Sequence, residues 1–79
     1  MSKDGKLILS ALLIVGAQSR DQAEPLDRLA VRIGIGSDSL ARDLVDLQEK
    51  GYVVLYEKEG MMGAYLTSTG IVTASSTYS

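Results

Sequence analysis

The side chains that most often carry covalent or metal chemistry are missing from this sequence. It holds no cysteine and no histidine, which removes thiolate nucleophiles, disulfides, the commonest metal ligand and the usual general base near neutral pH. Ser10, Ser37 and Ser39 therefore have no imidazole to activate them, and the carboxylates are scattered without the spacing of a metal-binding loop. Catalysis is not expected, and no cofactor is. Gly34, Ile35 and Gly36 open a helix in the manner of a phosphate loop, but a third glycine and the Walker lysine are absent. What remains is non-covalent chemistry. Arg28, Arg32 and Arg42 present planar forks of donors suited to phosphates or carboxylates, and Lys3, Lys6 and Arg20 add further cations. Asp21, Glu24 and Asp27 stand close enough in sequence to neutralise the arginines in weak surface pairs. If those acids point elsewhere, Arg28, Arg32 and Arg42 line a local positive strip, because field follows arrangement and not the sum of charges.

The elements that position these groups are legible from periodicity. Leu40, Leu44 and Leu47, flanked by Ala41 and Val45, recur on one helical face and predict an amphipathic helix over residues 38–50. Asp38, Arg42, Asp43, Asp46 and Glu49 fall on its other side. Gly36 or Ser37 suits the cap at its start, and Gly51 stands where a left-handed stop belongs. Upstream, Leu26, Leu29, Ala30 and Ile33 repeat the same period up to Gly34, and Pro25 suits the first residue of that helix because it has no amide hydrogen to leave unpaired. Two short helices joined by a tight turn containing glycine describe a helix-turn-helix. Downstream, residues 52–57 (YVVLYE) are β-branched and aromatic, as in a strand. Residues 58–63 (KEGMMG) read as a turn and residues 64–67 as the returning strand.

The run LAVRIGIGSDSLARDLVDLQEKGYV resembles the helix-turn-helix core of winged-helix proteins, among them small bacterial and archaeal transcription regulators. The positions that carry the resemblance are Leu29, Ala30, Ile33, Gly34, Ile35, Leu40, Leu44, Leu47, Glu49, Lys50, Gly51, Tyr52 and Val53. Tyr65, Leu66, Thr67 and Gly70 resemble the Y-x-L-T-x-x-G ending of such regulators, with tyrosine and leucine adjacent here. The resemblance covers residues 5–75. It implies an α+β winged helix-turn-helix: a three-helix core, a two-stranded wing and a short C-terminal helix, in one domain spanning residues 1–79 with residues 1–5 and 76–79 disordered. The last helix is expected around residues 70–75 with Thr67 or Ser68 as its cap, although Gly70 and the poor helix formers Ile71, Val72 and Thr73 weaken it. The resemblance also implies that Ser37, Asp38, Ser39, Arg42 and Asp43 enter the major groove of double-stranded DNA. There Arg42 would take a guanine edge or a phosphate, the serines phosphates, and a carboxylate a cytosine amine. Arg28, Arg32 and Lys58 complete the expected DNA-binding set.

Charge opposes that expectation. Eight basic against ten acidic residues give a net charge of −2, whereas a nucleic-acid binder usually displays a basic stripe. The central helix alone sets Asp38, Asp43, Asp46 and Glu49 against Arg42 and Lys50. A winged-helix module that binds another protein is therefore the alternative, since fold does not decide function. Met61 and Met62, expected at the wing, could wedge between base steps, pack on a partner or fold back over the domain.

With 46% apolar residues, a chain of 79 residues can build a small core, although much of its surface stays wet. Residues 7–15 (LILSALLIV) are apolar all round except for Ser10, more than one core-facing stripe requires. One explanation is a helix buried on two sides, against its own domain and against a second copy. The other is a signal peptide, with Lys3 and Lys6 before the apolar run and Val15, Gly16 and Ala17 as the cleavage site. Loss of residues 1–17 would uncover the helix-turn-helix, which favours the structural role. The run is too short to span a bilayer, which takes about twenty residues. The expectation is a cytoplasmic homodimer without membrane contact, its interface formed by Leu9, Leu13, Ile71 and Val72. Residues 17–24 (AQSRDQAE) read as a loop.

Overall fold

The leucine ridge of the central helix faces inward. The computed structural model describes residues 3–78. It consists of α1 (Lys3–Val15), a 3-10 turn (Arg20–Gln22), β1 (Glu24–Pro25), α2 (Leu26–Ile33), α3 (Ser37–Glu49), β2 (Val53–Lys58), β3 (Met61–Leu66) and α4 (Ser68–Tyr78). Leu40, Leu44 and Leu47 of α3 are fully buried, and they join Ile8, Leu9 and Leu12 of α1, Leu29 of α2, and Val53 and Leu66 of the strands in one core. Each such side chain contributes about 1.5–3 kcal/mol through removal of its apolar surface from water.

The helix ends follow from local chemistry. After α3 the chain leaves the helix at Gly51, whose φ is +82°. The amide of Gly51 donates to the Gln48 carbonyl at 2.9 Å and that of Tyr52 to the Leu47 carbonyl at 3.0 Å. These paired bonds satisfy carbonyls that the helix leaves open, and they need a residue that tolerates the left-handed region. The turn between α2 and α3 is closed on Ala30, whose carbonyl accepts from Gly34 at 2.9 Å and Ile35 at 3.2 Å.

The sheet is antiparallel in the order β1-β3-β2. Val53 pairs with Leu66 and Lys58 with Met61, so only Glu59 and Gly60 form the hairpin turn. The turn is shorter than the six residues expected, and Met61 and Met62 open β3 instead of forming the tip. β1 was not expected. Glu24 pairs with Ala64 and Pro25 with Gly63, a place proline can take because it lies on a sheet edge. Pro25 consequently sits at the cap position before α2, in extended geometry (φ −59°, ψ 139°), and not inside the helix.

Both ends of the chain are more helical than expected. α1 begins at Lys3, so residues 3–5 form its first turn, and α4 runs through residues 76–78; Met1, Ser2 and Ser79 lie outside the described residues. α4 also accounts for part of the surplus apolar surface of residues 7–15. α1 packs against α2, α3 and β3 and, most extensively, against α4. Leu9 is fully buried within the chain's own core, which removes it from any solvent-facing interface. Leu13 and Ile71 are half-buried against that core. Among the described side chains of these helices, the large apolar groups that still face water are Leu7, Ile14 and Val72.

Candidate nucleic-acid interface

Because the leucines of α3 point inward, its other face is presented to solvent. Ser37, Asp38, Ser39 and Arg42 are exposed and Asp43 half-buried. Among the described residues, the side chains of Ser37, Asp38, Ser39 and Arg42 make neither a hydrogen bond nor an ion pair. Gly36 occupies the cap position without a side-chain cap, so the first amides of α3 keep donor capacity for an anion. Near the other end of α3, Lys50 is engaged with Asp46 at 3.0 Å.

A cleft of about 380 Å³ separates the start of α3 from the hairpin; its walls include Leu26, Ser37, Ala41, Gly60, Met61 and Met62. The charged groups that reach it are Asp27 and Asp38, with no lysine or arginine. Met61 and Met62 are 57% and 42% exposed, so neither is folded back over the domain.

Arg28 and Arg32 share a shallow depression on α2 with Asp27 and Val31, and Arg42 is not part of it. Arg32 is further held by Glu24, with Nε 3.6 Å from the carboxylate Oε2. That oxygen is buried and has no hydrogen-bond partner, so Arg32 supplies the nearest compensation for a carboxylate that solvent barely reaches. Arg28 and Lys58 are exposed, Lys58 as the last residue of β2 before the hairpin turn.

Two joints hold the hairpin against the helices. The Leu55 amide donates to Gln48 Oε1 at 2.7 Å, tying β2 to the end of α3. Thr67 joins α3 to α4: its hydroxyl donates to the Gly51 carbonyl at 2.6 Å and accepts from the Gly70 amide at 2.9 Å, while its own amide donates to the Tyr52 carbonyl at 3.0 Å. The G-Y and L-T-x-x-G segments singled out in the sequence are thus two halves of one contact.

Sequence reasoning does not reveal the part played by Arg20 and Tyr56. The Arg20 guanidinium lies over the Tyr56 ring, 5.7 Å from its centroid. Nothing local signals this pair, because it depends on β1 placing the 3-10 turn beside the hairpin.

No protein-family pattern matches the sequence, and none of the curated proteins is similar to it. Solved structures do match. A candidate DNA-binding protein from Ralstonia eutropha is 22% identical with a TM-score of 0.86, covering 100% of this chain and 99% of its own. MepR of Staphylococcus aureus in complex with DNA is 15% identical with a TM-score of 0.81, over 96% of this chain and 60% of MepR. TubR from Bacillus megaterium is 17% identical with a TM-score of 0.80, over 89% of this chain and 78% of TubR. This chain therefore spans little more than half the length of MepR and nearly all of the Ralstonia protein. Its fold is the winged helix-turn-helix, α+β with β2 and β3 as the wing.

Proposed function

We propose that this chain is a DNA-binding transcription regulator that acts as a dimer in the cytoplasm, with α3 as the reading helix and the β2–β3 hairpin as the wing. The observation that carries this reading is the start of α3, where Ser37, Ser39 and Arg42 stand exposed above a buried leucine ridge, in a fold shared with MepR as solved on DNA. In the major groove Arg42 has the reach and fork for a guanine edge, the serines and first amides of α3 suit phosphates, and Asp38 accepts from a cytosine amine. Arg28 and Lys58 add phosphate contacts from α2 and the wing. Arg32 contributes charge while held on Glu24. The second copy would cover Leu7, Ile14 and Val72, the exposed apolar groups of α1 and α4, with Leu13 and Ile71 beneath them.

Fluorescence anisotropy with duplex DNA at several salt concentrations tests this reading. Affinity should fall steeply with salt, and Arg42→Ala should reduce the slope of log K against log salt by about one. For the dimer, light scattering should give twice the chain mass, and Ile14→Lys should halve it.

A second reading follows from the cleft between α3 and the wing, which holds Asp27, Asp38, Met61 and Met62 but no cation. This composition suits a basic, partly apolar segment of another protein better than a polyanion. An absence of DNA binding even at low salt would favour that interaction module.

A further inference from the structure

The wing has a second cleft with a different charge. It measures about 290 Å³, is lined by Arg20, Tyr56, Lys58 and Gly63, and shares Pro25, Met61 and Met62 with the cleft beside α3. The two clefts are therefore neighbours across a ridge formed by the proline and the methionines. On the α3 side the charged walls are Asp27 and Asp38 alone; on this side Arg20 and Lys58 stand together with Asp21 and Glu59.

Strand geometry assembles the site. Tyr56 and Lys58 are alternate residues of β2 and so share one face of the hairpin. Across from Tyr56 in the register stands Gly63, which leaves the ring without a side chain opposite it. A Cβ at Gly63 would lie 3.1 Å from the Glu24 carbonyl and 3.3 Å from the Ala23 Cβ, so β1 passes close over this position. That close passage brings the 3-10 turn across β3, and Arg20 comes to rest over the Tyr56 ring at 5.7 Å. An arginine stacked on an aromatic face keeps its fork of donors in a restricted orientation with the outward N–H groups free. Asp21 and Glu59 also border the cleft, yet among the described residues neither forms an ion pair with Arg20 or Lys58.

Resting on the DNA-binding reading above, we propose that Arg20 and Lys58 together hold a backbone phosphate of DNA beside Tyr56. Tyr56 acts as a positioning residue for the guanidinium. DNA seated along α3 crosses the methionine ridge before its backbone reaches this cleft. The arrangement gives an acidic domain two cations, unpaired with the neighbouring acids, away from its reading helix, and field depends on where charges stand.

The test is anisotropy with one duplex across a salt series, using the full chain and the variants Arg20→Ala, Lys58→Ala, the double variant and Tyr56→Leu, each checked for an unchanged melting curve. Arg20→Ala and Lys58→Ala should each weaken binding and flatten the salt slope, and the double variant should lower it by about 0.9, the value for a single neutralised phosphate. Tyr56→Leu should weaken binding with the slope retained, because both charges remain; Arg20→Lys should behave in the same way. Salt-dependent binding by the native chain, with the same affinity and slope in the Arg20 and Lys58 variants, would overturn this site and leave the reading of α3 intact. Failure of the native chain to bind duplex at low salt would overturn both.

Discussion

Gly70 rests directly on the carbonyl group of Tyr52: a methyl group at that position would overlap the oxygen, with the Leu66 side chain a further 3.2 Å neighbour. The close approach lets α4 start immediately after β3 and lie along α1, where it covers part of a helix too apolar to be served by one face alone. In the sequence Gly70 reads as a weakness of the last helix. In the structure it is the condition for that helix to dock.

Helix propensity and packing therefore make opposite forecasts for Gly70→Ala. Propensity alone would stabilise the variant by about 1 kcal/mol, whereas overlap with the Tyr52 carbonyl should destabilise it by about 3 kcal/mol. Urea denaturation should show the destabilisation. Thr67→Val, which removes the hydroxyl bonded to Gly51 and Gly70, should cost about 1–2 kcal/mol in the same assay.

Arg32 and Glu24 should behave as a coupled pair. Arg32→Met leaves a carboxylate that is only 10% exposed without its cation, and the expected destabilisation is about 1–3 kcal/mol. Combining it with Glu24→Gln should restore much of that stability, because the uncompensated charge is then gone. A double-mutant cycle followed by thermal melting measures the coupling; strict additivity would mean that the ion pair contributes nothing.

The wing turn holds a removable strain. Glu59 has φ +54° and Gly60 φ +78°, the paired positive values of a two-residue hairpin turn in which Asn-Gly is strongly favoured. Glu59→Asn should stabilise the chain by about 0.5 kcal/mol, since asparagine occupies the left-handed region more readily. An upward shift of the melting temperature is the expected result.

The carboxylate of Asp38 stands in the cleft between α3 and the wing. If DNA occupies that cleft without a cytosine amine beside this side chain, Asp38→Asn should raise affinity for a generic duplex about threefold, by removing one repulsive charge at the surface. Titration of a random-sequence duplex by anisotropy measures it. A fall in affinity for one particular sequence, with the generic duplex unaffected, would instead mark Asp38 as a base-reading acceptor.

Much of the α3 side of this protein is legible from residue order alone. The 3.6-residue spacing of Leu40, Leu44 and Leu47 is fixed by covalent helix geometry, and it assigns the outward face of α3 at the same stroke. Gly51 is placed as a helix stop by the same local reasoning, because a left-handed residue is needed there whatever the rest of the chain does. The β-branched and aromatic run after Tyr52 identifies β2, although the length of the hairpin turn does not follow from it. Composition does not show whether Met61 and Met62 belong to a turn or to a strand; the register of β3 against β2 decides that.

Sequence by itself thus determined the helix-turn-helix, its inward leucines and the residues that α3 exposes, because each depends on bonds and periodicities within a few positions. Tertiary structure alone decided that Leu9 is spent on the chain's own core, that β1 closes the sheet and brings Arg20 over Tyr56, that Arg32 is engaged by Glu24, and that Gly70 must be small. The burial of Leu9, the pairing of β1 and the seat of Gly70 join segments far apart along the chain, whereas Glu24 is near Arg32 in sequence and structure selects it from several nearby acids. Which apolar face meets which, and which cation meets which acid, is set by how helices and strands share a limited interior, and no single stretch of residues contains that information.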